Sequence, residues 1–115
     1  MAKKEWSITV HVPVKNADAV RQAMGTAIGP YKDHYRDVSF TYPGTGRFTP
    51  LKGARPSIGK IGKPEKVAEV AIETVVSGGK KKLENVILAV QAAHPYESPG
   101  ITVIRLEKIK RKKRK

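Results

Sequence analysis

The densest set of chemically capable side chains in the sequence is the hexapeptide His94-Pro95-Tyr96-Glu97-Ser98-Pro99. It places an imidazole, a phenol and a carboxylate within four residues. The two prolines hold that stretch extended or turned, because each disfavours the helical state in the residue before it. His94 and Glu97 are candidate ligands for a divalent metal. Two ligands do not complete such a site, so the ion or a small ligand would be shared across a subunit boundary. The same residues also suit a helix-to-strand corner, with His94 at the negative end of a helix and Glu97 as a turn carboxylate. Residue types alone leave both readings open.

A second candidate is the segment 43–64, where Gly44, Gly46, Gly53, Gly59 and Gly62 alternate with Arg47, Lys52, Arg55, Lys60 and Lys63. Glycines permit close backbone approach, and with these five cations the segment is a candidate loop for a small anionic ligand; otherwise it is a solvated basic loop. It is no nucleotide fingerprint: Gly44-Thr45-Gly46 is followed by Thr49 where a third glycine is needed, and no Walker pattern occurs. His11 and His34 stand alone. Glu69 and Glu73 share a strand face on either side of Ala71, yet no nucleophile and base stand at a mechanistic spacing. With no cysteine, thiolate chemistry is excluded. The expectation is a protein that is not an enzyme.

The chain has 115 residues and a formal net charge of +13. Seven of its 23 basic residues fall within 108–115, including Lys110, Arg111, Lys112, Lys113, Arg114 and Lys115. That tail, almost devoid of apolar residues, is expected to be disordered when free and is the alternative functional element, attracting nucleic acid without sequence preference. Residues 1–107 are expected to form one domain. No run approaches the length of a signal sequence or membrane span, so the default is a soluble, cytoplasmic protein with no membrane contact.

The elements that must position these groups follow from periodicity. Trp6, Ile8, Val10 and Val12 alternate with Ser7, Thr9 and His11, the period of a half-buried strand that Pro13 closes. Asn16 stands at the N-cap of a helix whose stripe is Ala17, Val20, Met24 and Ile28, ended by Gly29-Pro30. A second strand carries Val38, Phe40 and Tyr42 and runs into Pro43-Gly44. Val67–Val76 is a third strand, with Ala68, Val70 and Ile72 on one face and Glu69, Ala71 and Glu73 on the other. After Gly78-Gly79, Leu83, Val86, Ile87, Val90 and His94 fall at helical spacing, and Ile101–Leu106 is the last strand.

The order strand, helix, strand, strand, helix, strand predicts an α+β, ferredoxin-like βαββαβ sandwich: an antiparallel sheet with two helices on one face. Its other face is left without a helix. This reading puts Ser7, Thr9, His11, Glu69, Ala71 and Glu73 there, with two acids and no aromatic ring, which argues against an RNA-recognition sheet.

The set Val12-Pro13, Gly29, Tyr31, Gly44-x-Gly46-x-Phe48-x-Pro50, Ala54-x-Pro56-x-Ile58-Gly59, Glu65-x-Val67-x-Glu69, Ile72-Glu73 and His94-Pro95-Tyr96-Glu97-x-Pro99 resembles the CutA/PII-like domain of the NGG-one interacting factor three family. The His94–Pro99 segment is also similar to the CutA divalent-ion tolerance proteins. The resemblance covers about residues 6–107. It implies the same CutA/PII-like fold in a stand-alone version of a domain that many relatives carry inside a larger dinuclear-metal protein. It marks Gly44, Gly46, Phe48, Pro56, Gly59, Glu69, Glu73, Pro95, Tyr96 and Pro99 as fold-signature positions. It further implies a homotrimer with inward-facing sheets, and no hydrolase activity carried over, since the dinuclear-metal residues belong to other domains. The resulting expectation is a noncatalytic regulatory domain that binds a small ligand or divalent cation near the corner and the 43–64 loop, its cofactor unknown beyond a possible divalent metal.

Overall fold

The computed structural model describes residues 4–31 and 34–107. Strand β1 (Glu5–Pro13) leads through a single 3₁₀ turn at Val14–Asn16 into helix α1 (Ala17–Ile28). Strands β2 (Phe40–Phe48) and β3 (Glu65–Ser77), helix α2 (Lys80–Ala93) and strand β4 (Gly100–Arg105) follow. The sheet runs β2-β3-β1-β4, and every pairing is antiparallel. This is the ferredoxin-like βαββαβ sandwich that the periodicity predicts.

The core sits between one sheet face and the two helices. Trp6, Ile8, Val10 and Val12 of β1 and Ile72 and Val76 of β3 meet Val20 and Met24 of α1 and Leu83, Val86 and Val90 of α2. Strands β1 and β3 are buried furthest because they are the two central strands, and burying each such side chain contributes roughly 1.5–3 kcal/mol. The end of the sheet is pinned by the indole N–H of Trp6, which donates to Gly78 O at 3.0 Å. At the same end Gly78 N–H donates to Lys4 O at 2.7 Å and Leu106 N–H to Glu5 O at 2.9 Å.

Three details depart from the sequence reading. Strand β2 does not stop at Pro43-Gly44 but continues to Phe48, and β3 starts at Glu65, so the connection between them is 49–64 rather than 43–64. Pro43 is tolerated because β2 is an edge strand. Asn16 occupies the N-cap of α1 but its side chain makes no capping bond, and its Oδ1 is buried without a partner. Gly25 is where the Asp37 carboxylate rests, and a Cβ there would overlap it.

The third departure concerns the uncovered face, which is not free of aromatic rings. The register pairs Phe40 with Glu73 and Tyr42 with Ala71, so both rings stand on the face that carries Thr9, His11 and Glu73. Phe40 is 67% exposed and Ile104, on the same face, 57%. Among the described residues the strands nevertheless present no Lys or Arg on this face, since its β1 and β3 charges are Glu5, Glu65, Glu69 and Glu73, and they offer a nucleic-acid backbone no cation. Among the described residues no helix is long and apolar enough to cross a membrane.

Candidate functional site

The hexapeptide is built as a corner and also as one wall of a cleft. Helix α2 ends at Ala93, and His94 turns extended at φ −84° and ψ 139°, the conformation a following proline demands. Its own N–H still closes the helix on Val90 O at 2.9 Å. The imidazole is buried. Nδ1 accepts the N–H of Tyr96 at 3.1 Å, which leaves the ring proton on Nε2, and Nε2 donates to His11 O of β1 at 2.7 Å. Both ring nitrogens are thus engaged in joining the corner to the sheet.

Tyr96 continues the chain of contacts. Its hydroxyl donates to Glu69 Oε2 at 2.8 Å, and its ring meets Phe48 edge-on with centroids 5.8 Å apart. Glu69 is 92% buried, with 8% of its surface exposed, although it lies on the face without helices. Gly46 makes that burial possible, because a Cβ at this position would overlap the Glu69 carboxylate. Glu97 points elsewhere: its Oε2 accepts the backbone N–H of Arg55 and so fastens the 49–64 connection to the corner.

Between these walls lies a cleft of about 520 Å³, lined by His11 and Gly100 at its base, Thr45–Phe48 of β2, Pro50, Ala54, Pro56, Ser57 and Ile58 of the connection, and Glu69 with Tyr96–Ser98. The motif positions Gly46, Phe48, Pro56, Glu69 and Tyr96 therefore converge, from four separate stretches of chain. Others do not. Pro95 and Pro99 shape the corner without lining the cleft, and Gly44 faces open space. Gly59 sits at φ +95°, where a side chain would be strained. Glu73 accepts the Tyr42 hydroxyl at 2.9 Å and lines a second hollow of about 290 Å³ instead.

The predicted ligand groups are likewise divided. Of the five loop cations, Arg47 alone lines the cleft; Lys52, Arg55, Lys60 and Lys63 are exposed, and none of those four lines it. His94 and Glu97 bond to different backbone groups and do not converge on one point. Among the described residues no three His, Cys, Asp or Glu side chains group to hold a metal ion. The basic positions Lys110–Lys115 lie outside the described residues. Sequence periodicity missed the Glu69–Tyr96 pair, and the one signal for it was the motif resemblance that marked both positions.

Burial first, and then the hydrogen bond and charge of Glu69 with a smaller contribution from Glu65, raise the Tyr96 phenol well above its ordinary value of 10.0. The folded protein therefore holds this proton more tightly than the unfolded chain does. The stability that follows is complete below about pH 10 and is lost as pH climbs through the folded-state value. Urea midpoints measured from about pH 9 to 12 are expected to fall less steeply for Tyr96→Phe than for the parent. Tyr42 is also raised, first by its bond to Glu73, but it stands in solvent, and Tyr42→Phe is expected to leave the slope nearly unchanged.

No protein-family model matches the chain. A GTP cyclohydrolase 1 type 2 homolog of Halalkalibacterium halodurans is 40% identical to it over 95 residues, which is 83% of this chain and 25% of that protein. The chain spans about a quarter of the length of the curated relatives it matches. A crystal structure of a Bacillus cereus protein related to NIF3 superposes with a TM-score of 0.77 at 34% identity, covering 94% of this chain and 27% of that one. The fold is shared as well with the periplasmic divalent cation tolerance protein CutA of Archaeoglobus fulgidus, at a TM-score of 0.60 and 20% identity over 90% of this chain and 85% of CutA. With its motif positions gathered on one cleft and its sequence matched across most of its length, the chain is homologous to one quarter of the NIF3-related GTP cyclohydrolase 1 type 2 homologs and shares the fold of CutA.

Proposed function

We propose that the chain is a noncatalytic regulatory domain that binds a small ligand in the cleft between the 49–64 connection and the corner, and that it assembles as a homotrimer through its uncovered sheet face. The observation that carries the ligand reading is the convergence of Gly46, Phe48, Pro56, Glu69 and Tyr96 on one open cleft of about 520 Å³, the size range of small-molecule sites. A noncatalytic role is supported by the use of the His94 and Glu97 side chains as structural hydrogen-bond partners.

The test is a thermal-shift panel of divalent metals, nucleotides, phosphorylated metabolites and amines, because a ligand that binds only the native state raises its apparent stability. A saturable shift that the cleft variants abolish supports the reading; no shift from any member sinks it. Assembly is supported by the apolar part of the open face, above all Phe40 and Ile104. Light scattering is expected to return three times the chain mass, and Phe40→Glu to return the mass of one chain. Because Phe40 is largely solvated within a single chain, the same change is expected to shift the stability of the dissociated chain by no more than about 0.5 kcal/mol. A strict monomer at high concentration for the parent protein overturns the trimer.

A further inference from the structure

One oxygen of the Glu69 carboxylate faces the cleft with no donor or cation on it among the described residues. Oε2 takes the Tyr96 hydroxyl, but among the described residues nothing donates to Oε1 and no Lys or Arg nitrogen comes within 4.0 Å of either oxygen. That oxygen is not sealed in: among the described residues Asn16 Oδ1 is the one buried side-chain oxygen without a partner, so Oε1 opens on the cleft, where a donor entering from solvent can meet it. The surroundings favour a cation there. Glu97 lines the same cleft, and Glu65 is close enough to act on the Tyr96 phenol, whereas Arg47 is the single Lys or Arg in the lining. Gly46, by lacking a side chain, keeps the space the carboxylate occupies.

From this geometry we infer that the cleft takes a ligand bearing a cationic nitrogen, an ammonium or a guanidinium, whose N–H donates to Oε1 of Glu69 while its carbon skeleton lies against Phe48 and Pro56. A guanidinium or ammonium supplies both the charge and the donor that Oε1 lacks, and the Phe48–Tyr96 ring pair adds an attractive surface for a cation. A hard divalent ion fits less well, since it needs several oxygen ligands and the described residues bring no such group together. The inference rests on the cleft being the ligand site, and it names the chemistry that site selects.

The test is calorimetric titration of the full chain with agmatine, which carries both groups, and with butylamine, beside sodium phosphate and manganese chloride as contrasting probes. Agmatine or butylamine is expected to bind saturably. Glu69→Gln, which keeps the shape and one acceptor, is expected to weaken that binding at least 10-fold, and Arg47→Ala to change it less than 3-fold. Comparing agmatine with butylamine separates the guanidinium from the ammonium. Unliganded Glu69→Gln is expected to melt no lower than the parent, so that weakened binding cannot be laid to unfolding. Binding of phosphate or manganese without the amines overturns the inference while leaving the cleft as a ligand site. Amine binding that Glu69→Gln leaves intact also overturns it. If no amine binds and Glu69→Gln lowers the assembly mass, the partner of Oε1 is a side chain of a second copy, and the inference falls. If no probe binds, the inference falls, and the thermal-shift panel decides separately whether the cleft is a ligand site.

Discussion

Gly46→Val is expected to cost about 2–4 kcal/mol of unfolding free energy, because it forces a side chain into a site already occupied and breaks a partly buried hydrogen bond. A Cβ at this position overlaps the carboxylate of Glu69, which can move aside only by giving up its bond to Tyr96. The carboxylate is fixed on its far side by the Tyr96 hydroxyl at 2.8 Å, and Tyr96 is fixed in turn by Phe48 and by the imidazole of His94. Gly46→Ala already creates the overlap, so most of the loss is expected from the first methyl. Gly44, two residues earlier on the same strand face, is the control. Nothing lies within 4 Å of a Cβ there and its φ is not positive, so Gly44→Ala is expected to fall within about 0.5 kcal/mol of the parent. Urea unfolding of the three variants checks the prediction, and equal losses at positions 44 and 46 refute the packing argument. The cleft response to ligand is expected to vanish with Gly46→Val and to survive Gly44→Ala.

His94→Phe is the second large effect, expected at about 2–4 kcal/mol, although the substitution keeps an aromatic ring in place and burial itself favours that ring. The loss comes from the two backbone groups left behind, the carbonyl of His11 and the amide of Tyr96, which are bonded at 2.7 and 3.1 Å by opposite sides of one imidazole. His94→Gln retains a donor on a side chain of similar reach and is expected to recover part of the loss. Equal stability of the Phe and Gln variants rejects the bridging role. Hydrogen exchange adds a local readout: the Tyr96 amide is expected to lose protection in His94→Phe while amides near Trp6, at the far end of β1, keep theirs under conditions of local opening.

The element order was legible because its signals are local. The alternation from Trp6 to Val12 and the helical spacing from Leu83 to Val90 report burial within a few residues of chain, and both stretches form the core as expected. Signals that depend on register were not legible. Which way Phe40 and Tyr42 point is decided by their pairing with Glu73 and Ala71, some thirty residues on, so their place on the uncovered face could not be read from β2 alone. The continuation of β2 through Pro43, Gly44 and Gly46 was hidden by residue types that ordinarily punctuate a chain. An edge strand accepts them, and Gly46 is there to admit a carboxylate.

The site was half legible in the same sense. The hexapeptide announced itself by composition, and its role as a corner followed from the helix before it and the strand after it. The use of its imidazole did not follow, because the group it grips is 83 residues away in sequence. The bond between Tyr96 and Glu69 spans 27 residues and has no periodic trace. The cations of residues 43–64 drew attention by number, yet exposure scatters them, and one buried carboxylate beside a glycine proved more informative than five lysines and arginines.

Lys4 and Glu5 are tied by single backbone hydrogen bonds to Gly78 and Leu106, so the first and last described strands begin and finish side by side at one end of the sheet. A polypeptide that enters at the first of these points and leaves at the second returns almost to where it started. Such a unit can interrupt a loop of a host protein while asking the host to part by little more than the spacing of two neighbouring strands, about 5 Å. In that sense the architecture is a cassette, able to travel between polypeptides without either partner being rebuilt.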